Sequence, residues 1–102
     1  MNDTKFTSFK KFYPYYLSEH KLRINKILHI IGSLTSITFI IIIIYIEKYK
    51  YIPLSILFGY GCAWIGHFIF EKNRPATFKY PIYSFLGDWM MLKDVLTGKI
   101  KL

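Results

Sequence analysis

Two unbroken apolar runs dominate the pattern along the chain. Ile27–Ile46 and Tyr51–Phe70 are each 20 residues long and contain no Asp, Glu, Lys or Arg. As helices rising about 1.5 Å per residue, each is about 30 Å long, the thickness of a bilayer's hydrocarbon core. Phe39–Ile44 is apolar in every direction, whereas a helix on a soluble core keeps a polar face. Only Glu47, Lys48, Tyr49 and Lys50 separate the two runs, so they must lie antiparallel. Outside them the pattern changes to helical alternation. Phe6, Phe9, Phe12, Tyr13 and Tyr16 fall near one side of an N-terminal segment with lysines opposite, and Ile82, Phe85, Leu86, Trp89, Leu92 and Leu96 share a face near the C-terminus. Pro14 should kink the first segment or start a new turn, Pro53 and Pro81 fit first turns, and Gly98 fits just beyond a helix end. The predicted fold is an all-α membrane protein: an antiparallel transmembrane helical hairpin with N- and C-terminal interfacial amphipathic helices. It forms one domain, 1–102, with helices at 5–22, 24–46, 51–72 and 80–97 and the first four residues frayed.

Charge fixes an orientation. The net charge of +8 is distributed as six Lys or Arg before the first run, two in the connection and six after the second. Positive-inside asymmetry therefore predicts a two-pass protein with both termini cytoplasmic, its basic flanks meeting anionic lipid. The host would be the inner membrane of a bacterium or the endoplasmic reticulum of a eukaryote. A nucleic-acid surface is the weaker reading, because no recognition motif accompanies the charge. The first run starts too late, and is too long, for a secretory signal. Cys62 is the single cysteine, which excludes an intrachain disulfide.

The three histidines carry the candidate chemistry. His29 is the third residue of the first run and His67 the fourth from the end of the second. Both lie about 3 to 6 Å inside the same boundary of an antiparallel pair. His20 precedes that boundary by a few residues, and its i, i+3, i+7 relation to Tyr13 and Tyr16 turns it toward whatever the tyrosines cover. Ionisable side chains within a membrane run face a partner or a cavity. Asn25 lies four residues before His29, and Gly32, Ser33 and Ser36 continue that side as a packing seam. Glu71 lies four residues after His67 on the same helix, as a carboxylate partner would. Asp88 sits at the margin of the C-terminal apolar face. Three histidines with one or two carboxylates suit a first-row metal with open positions, iron naturally, while zinc accepts the same histidines. Cys-x-x-Cys, phosphate-loop, nucleophile-elbow and His-Glu-x-x-His motifs are all missing, which removes thiol redox, nucleotide and serine-hydrolase chemistry.

The segments FYPYYLSEH, His29-x-x-Gly32, GYGCAWIGHFIFEKNRPATFKYP and GDWMM resemble the small membrane proteins named for the fungal 2-hydroxy fatty acid dioxygenase. The resemblance runs from about Phe9 to Gly98. It implies an Fe(2+)-dependent dioxygenase that shortens a 2-hydroxy fatty acid by one carbon, with the lipid bilayer as its setting. His20, His29 and His67 occupy the family's histidine positions, and Glu71, Asn73, Pro75 and Thr77 fall on its second motif. Many short members carry an arginine where this chain has Met90, and the chain is shorter than the fungal enzyme.

On that reading His20, His29 and His67 hold the iron, with Glu71 as fourth ligand or as a partner of the ligands. Asp88, Asn73 and Asn25 support them, and Arg74, Lys72 or Arg23 attract the substrate's carboxylate. The partners are the 2-hydroxy acid and dioxygen, with room for an oligomer. The substrate supplies all four electrons that dioxygen takes up. A di-iron hydroxylase or desaturase would need an electron donor and around six ligands. The non-catalytic alternative is a helical-hairpin interaction module whose histidines are polar contacts between helices.

Overall fold

The computed structural model describes residues 6–102, all of whose regular structure is helical. The order is α1 (Phe9–Ser18), α2 (Arg23–Tyr45), a 3-10 segment (Tyr49–Leu54), α3 (Ser55–Ile65), a π-helical segment (Gly66–Glu71), a 3-10 turn (Ala76–Phe78) and α4 (Pro81–Leu96). Two continuous helical stretches, Arg23–Tyr45 and Tyr49–Glu71, are long and apolar enough to cross a membrane. Only 22% of the most apolar window of each is buried, so their isoleucines, leucines and phenylalanines mostly face outward.

Small residues set the closeness of these two stretches. A Cβ on Gly32 would stand 3.0 Å from Cys62 Cβ and from the Gly59 carbonyl, so glycine is what permits the approach. Further along, Ser36 Oγ donates to the Ser55 carbonyl at 2.9 Å, and Phe39 packs on Phe58 with centroids 5.0 Å apart. Asn25 lies against Gly66 at the other end. Ascending positions of α2 thus meet descending positions of the second stretch.

α1 and α4 pack against each other at one end of the two long stretches. Phe12, Tyr16, Ala76 and Met91 form its buried core. Gly87 admits the Tyr16 ring, since a Cβ there would be 2.8 Å from Cδ2 of that ring. Two hydrogen bonds join the helices: Tyr13 Oη donates to Asp94 Oδ2 at 2.8 Å and Tyr16 Oη donates to Asp88 Oδ1.

Several local details differ from expectation. α1 spans Phe9–Ser18 rather than 5–22, because Ser8 Oγ accepts from Lys11 N as an N-cap and the chain turns after Ser18 to bring His20 inward. The expected start at Lys5, and the four residues before it, lie outside the described residues. Pro14 leaves α1 unbroken, since the hydrogen bond it removes falls on the carbonyl of exposed Lys10 in the first turn. The second long stretch is not α-helical throughout. It begins as 3-10 around Pro53 and widens to π at Gly66, where the Lys72 amide reaches back to the His67 carbonyl. The expected apolar face of α4 points mainly away from the protein, with Ile82 72% and Leu96 71% exposed, and the inward face is Ser84, Gly87, Met91 and Leu92.

Candidate metal centre

Three different elements each deliver one histidine to a common point. His20 comes from the turn between α1 and α2, His29 from the second turn of α2, and His67 from the π-helical segment. All three are buried, at 1%, 4% and 2% exposure. His20 Nε2 lies 3.0 Å from His29 Nε2 and 3.0 Å from His67 Nε2. Among the described residues these three form the one group of His, Cys, Asp or Glu side chains whose donor atoms all lie within 4.8 Å of one another.

The outer nitrogens decide what the inner ones carry. His20 Nδ1 is 2.6 Å from the Tyr16 carbonyl and His29 Nδ1 is 2.9 Å from the Asn25 carbonyl. Carbonyl oxygens only accept, so both Nδ1 atoms bear protons. His67 Nδ1 is 2.7 Å from Asn73 Oδ1, and the Asn73 amide is oriented by donating Nδ2 to the Glu19 carbonyl at 3.1 Å. That Nδ1 is therefore a donor as well. In the neutral imidazoles all three Nε2 atoms are then lone pairs pointed at one another with no hydrogen between them. For His20, burial above all, followed by the neighbouring His29 and His67, pushes the pKa down to about 2. Such a buried cluster of acceptors is satisfied by a cation. The spacing fits one: two nitrogens each about 2.1 Å from a shared metal stand about 3.0 Å apart when they subtend a right angle.

The remaining residues singled out by the sequence take distinct places. Asn73 meets His67 directly, and Asn25 supports His29 through its main-chain carbonyl. The Glu71 carboxylate turns toward the start of α2, where Oε1 accepts from Leu22 N at 2.6 Å and from Asn25 Nδ2 at 3.4 Å. It thereby serves the uncapped N-terminus of α2. Asp88 approaches through Tyr16, whose ring stacks on His20 with centroids 4.0 Å apart. Burial raises the Asp88 pKa to about 7 against the opposing effect of the Tyr16 hydrogen bond. Lys72, Arg74 and Arg23 are exposed, with the Arg74 guanidinium over the Phe78 ring. Lys72 adopts a left-handed backbone conformation, φ 59°, that ends the π segment.

A groove of about 270 Å³ opens beside His29 and runs between α2, α3 and α4. His29, Ser33, Tyr60 and Asp88 line one end, and Ile40 and Ile56 lie toward the other. Tyr60 and Gly59 had no assigned role in the sequence. The signal that would have found them is their register opposite Ser33 and Ser36 in an antiparallel pair.

No curated protein and no solved structure is matched by the chain. A protein family is matched over residues 6–100, described as 2-hydroxy-palmitic acid dioxygenase Mpo1-like. The matched span contains all three histidines, the two carbonyls and one side chain that hold their outer nitrogens, and the groove. With that coverage, this chain belongs to the 2-hydroxy-palmitic acid dioxygenase Mpo1-like family.

Proposed function

We propose that the protein is an Fe(2+)-dependent membrane dioxygenase that shortens 2-hydroxy fatty acids by one carbon. The observation that carries this reading is the convergence of three Nε2 lone pairs whose outer nitrogens are all committed as donors. Three imidazole nitrogens with positions left open for oxygen ligands would hold iron(II). When bound, iron supplies the one-electron chemistry by which dioxygen reacts with a closed-shell acid.

The chain's own residues set the stage for it. The Tyr16 and Asn25 carbonyls and the Asn73 side chain lock the three rings in one tautomer and orientation. Glu71 acts here as a brace between the π segment and α2, leaving the histidines as the whole protein ligand set. Arg74, Lys72 and Arg23 attract the acid from the water side. Arg23–Tyr45 and Tyr49–Glu71 cross the bilayer as an antiparallel hairpin, with both termini cytoplasmic and α1 and α4 in the headgroup layer. In the overall reaction, R–CH(OH)–COOH and O2 give R–COOH, CO2 and H2O. The acid is oxidised by four electrons and dioxygen reduced by four.

The test is oxygen uptake by iron-loaded protein with 2-hydroxypalmitate and no added reductant. Equal amounts of oxygen consumed and pentadecanoate formed are expected. An absolute need for an electron donor, or a hydroxylated product of unchanged length, contradicts the reading.

A further inference from the structure

The groove beside the histidines contains a glycine that neither packing nor backbone conformation explains. At Gly32, Gly66 and Gly87 an added Cβ would crowd atoms of another element. Gly59 differs. A Cβ there would meet only Ser36 Cβ and Oγ, at 4.0 Å, which is ordinary contact, and its backbone is regular α3. Gly59 nevertheless lines the groove. It faces the stretch of α2 between Gly32 and Ser36, about 5 to 10 Å along the helix axis from His29. What its missing side chain preserves is open space.

The groove is chemically graded along its length. The ionisable side chains of its lining, His29, Tyr60 and Asp88, gather at the end shared with the metal centre, while the other end, about 16 Å away along α2, holds Ile40 and Ile56 beside Ser55, whose carbonyl accepts from Ser36 Oγ. An occupant with a polar head and a long unbranched tail matches that gradient, and its head would lie at the histidines. We propose that this groove holds the acyl tail of the substrate and that Gly59 is the aperture through which a long tail must pass, making it a determinant of chain-length selection. The inference rests on the oxidation of a 2-hydroxy acid proposed above. It adds the location of the tail and the residue that measures it.

Gly61 provides an internal control. It lies on the same helix with nothing within 4 Å of an added Cβ, and it does not line the groove. Gly59→Leu and Gly61→Leu are compared with the parent protein, all carrying Trp64→Phe. Trp89, a groove residue, is then the only tryptophan, and its fluorescence reports occupancy. The probes are 2-hydroxypalmitate brominated in mid-chain for quenching, and 2-hydroxypalmitate and 2-hydroxyhexanoate for turnover, with iron per chain measured alongside.

Quenching that unlabelled acid displaces is expected in the parent and in Gly59's control variant. Gly59→Leu should weaken it, and lower kcat/KM for the long acid, by about tenfold or more, while the six-carbon acid and the iron content are unaffected. Gly59→Ala should fall between the parent and Gly59→Leu, and it supplies the same comparison should the leucine variant fail to fold. A Gly59→Leu protein that handles both acids like Gly61→Leu overturns the proposal, as does equal loss of both acids with iron retained. Displaceable, Gly59-dependent quenching without turnover in the parent would defeat the oxidation reading while upholding the assignment of the groove.

Discussion

At the residue scale, the centre is organised from the outside in. Each histidine spends its Nδ1 proton on an oxygen belonging to its own part of the fold, and this leaves the Nε2 lone pairs facing each other. The sequence placed His29 and His67 together because both sit a fixed count of residues from the ends of apolar runs. It could not place the Glu71 carboxylate. Four-residue spacing points that side chain along its own helix, but the unpaired amide of Leu22, brought near only by the folded turn after α1, offers a better partner. Asp88 gives a pH-dependent prediction. Its pKa is raised by burial to about 7, so the folded protein binds a proton there that the unfolded chain has released above about 4. This contribution to stability is complete below the unfolded value and is lost as pH rises toward 7. Asp88→Asn should therefore gain thermal stability relative to the parent between about pH 4 and 7, with the gain constant above that. Melting of the metal-free proteins across this range measures it, and a gain that shrinks with rising pH contradicts the assignment.

At the element scale, close approach of helices at glycine is what brings the ligands to one point. Gly66 lets the π segment rest on Asn25, whose carbonyl orients His29. A Cβ at that position would collide with Asn25 Oδ1 and stand 3.3 Å from Asn25 Cα. Gly66→Ala should destabilise the fold by about 1 to 3 kcal/mol through overpacking and weaken metal binding, whereas Gly61→Ala should do neither. Denaturation in detergent, read by helical circular dichroism, separates the two; equal behaviour would mean the helices adjust freely. The long apolar stretches were legible from length and composition, and α4 was legible from Pro81 and Gly98. The orientation of α4 was not. Periodicity marks an apolar face but gives no sign of whether protein or lipid covers it. In this fold Gly87 and Met91 go inward against Tyr16 while Ile82 and Leu96 go out. The π widening at Gly66 had no sequence signal either: it lies where the chain meets Asn25, a residue distant in sequence.

At the scale of the whole molecule, an outward apolar surface surrounds two helical stretches long enough to cross a membrane, and a buried histidine cluster able to hold a metal lies near the terminal helices. On the proposed reading, the six, two, six distribution of basic residues predicts that the terminal helices lie on the cytoplasmic face. A reporter fused after Leu102 should be active only on the cytoplasmic side, and activity only on the outer side would reverse the orientation. The metal centre itself is tested most directly by iron content. Protein purified in mild detergent without chelator, equilibrated at matched free iron(II), should bind one iron per chain. His67→Ala should lose most of it while keeping its helical content, since the backbone hydrogen bonds of a membrane helix do not depend on that side chain. Asn73→Ala, which removes the partner of His67 Nδ1 together with its tie to the Glu19 carbonyl, should bind about 10 to 100-fold more weakly. Full iron retention by folded His67→Ala, or no iron in the parent protein at any free concentration, would contradict the three-histidine centre.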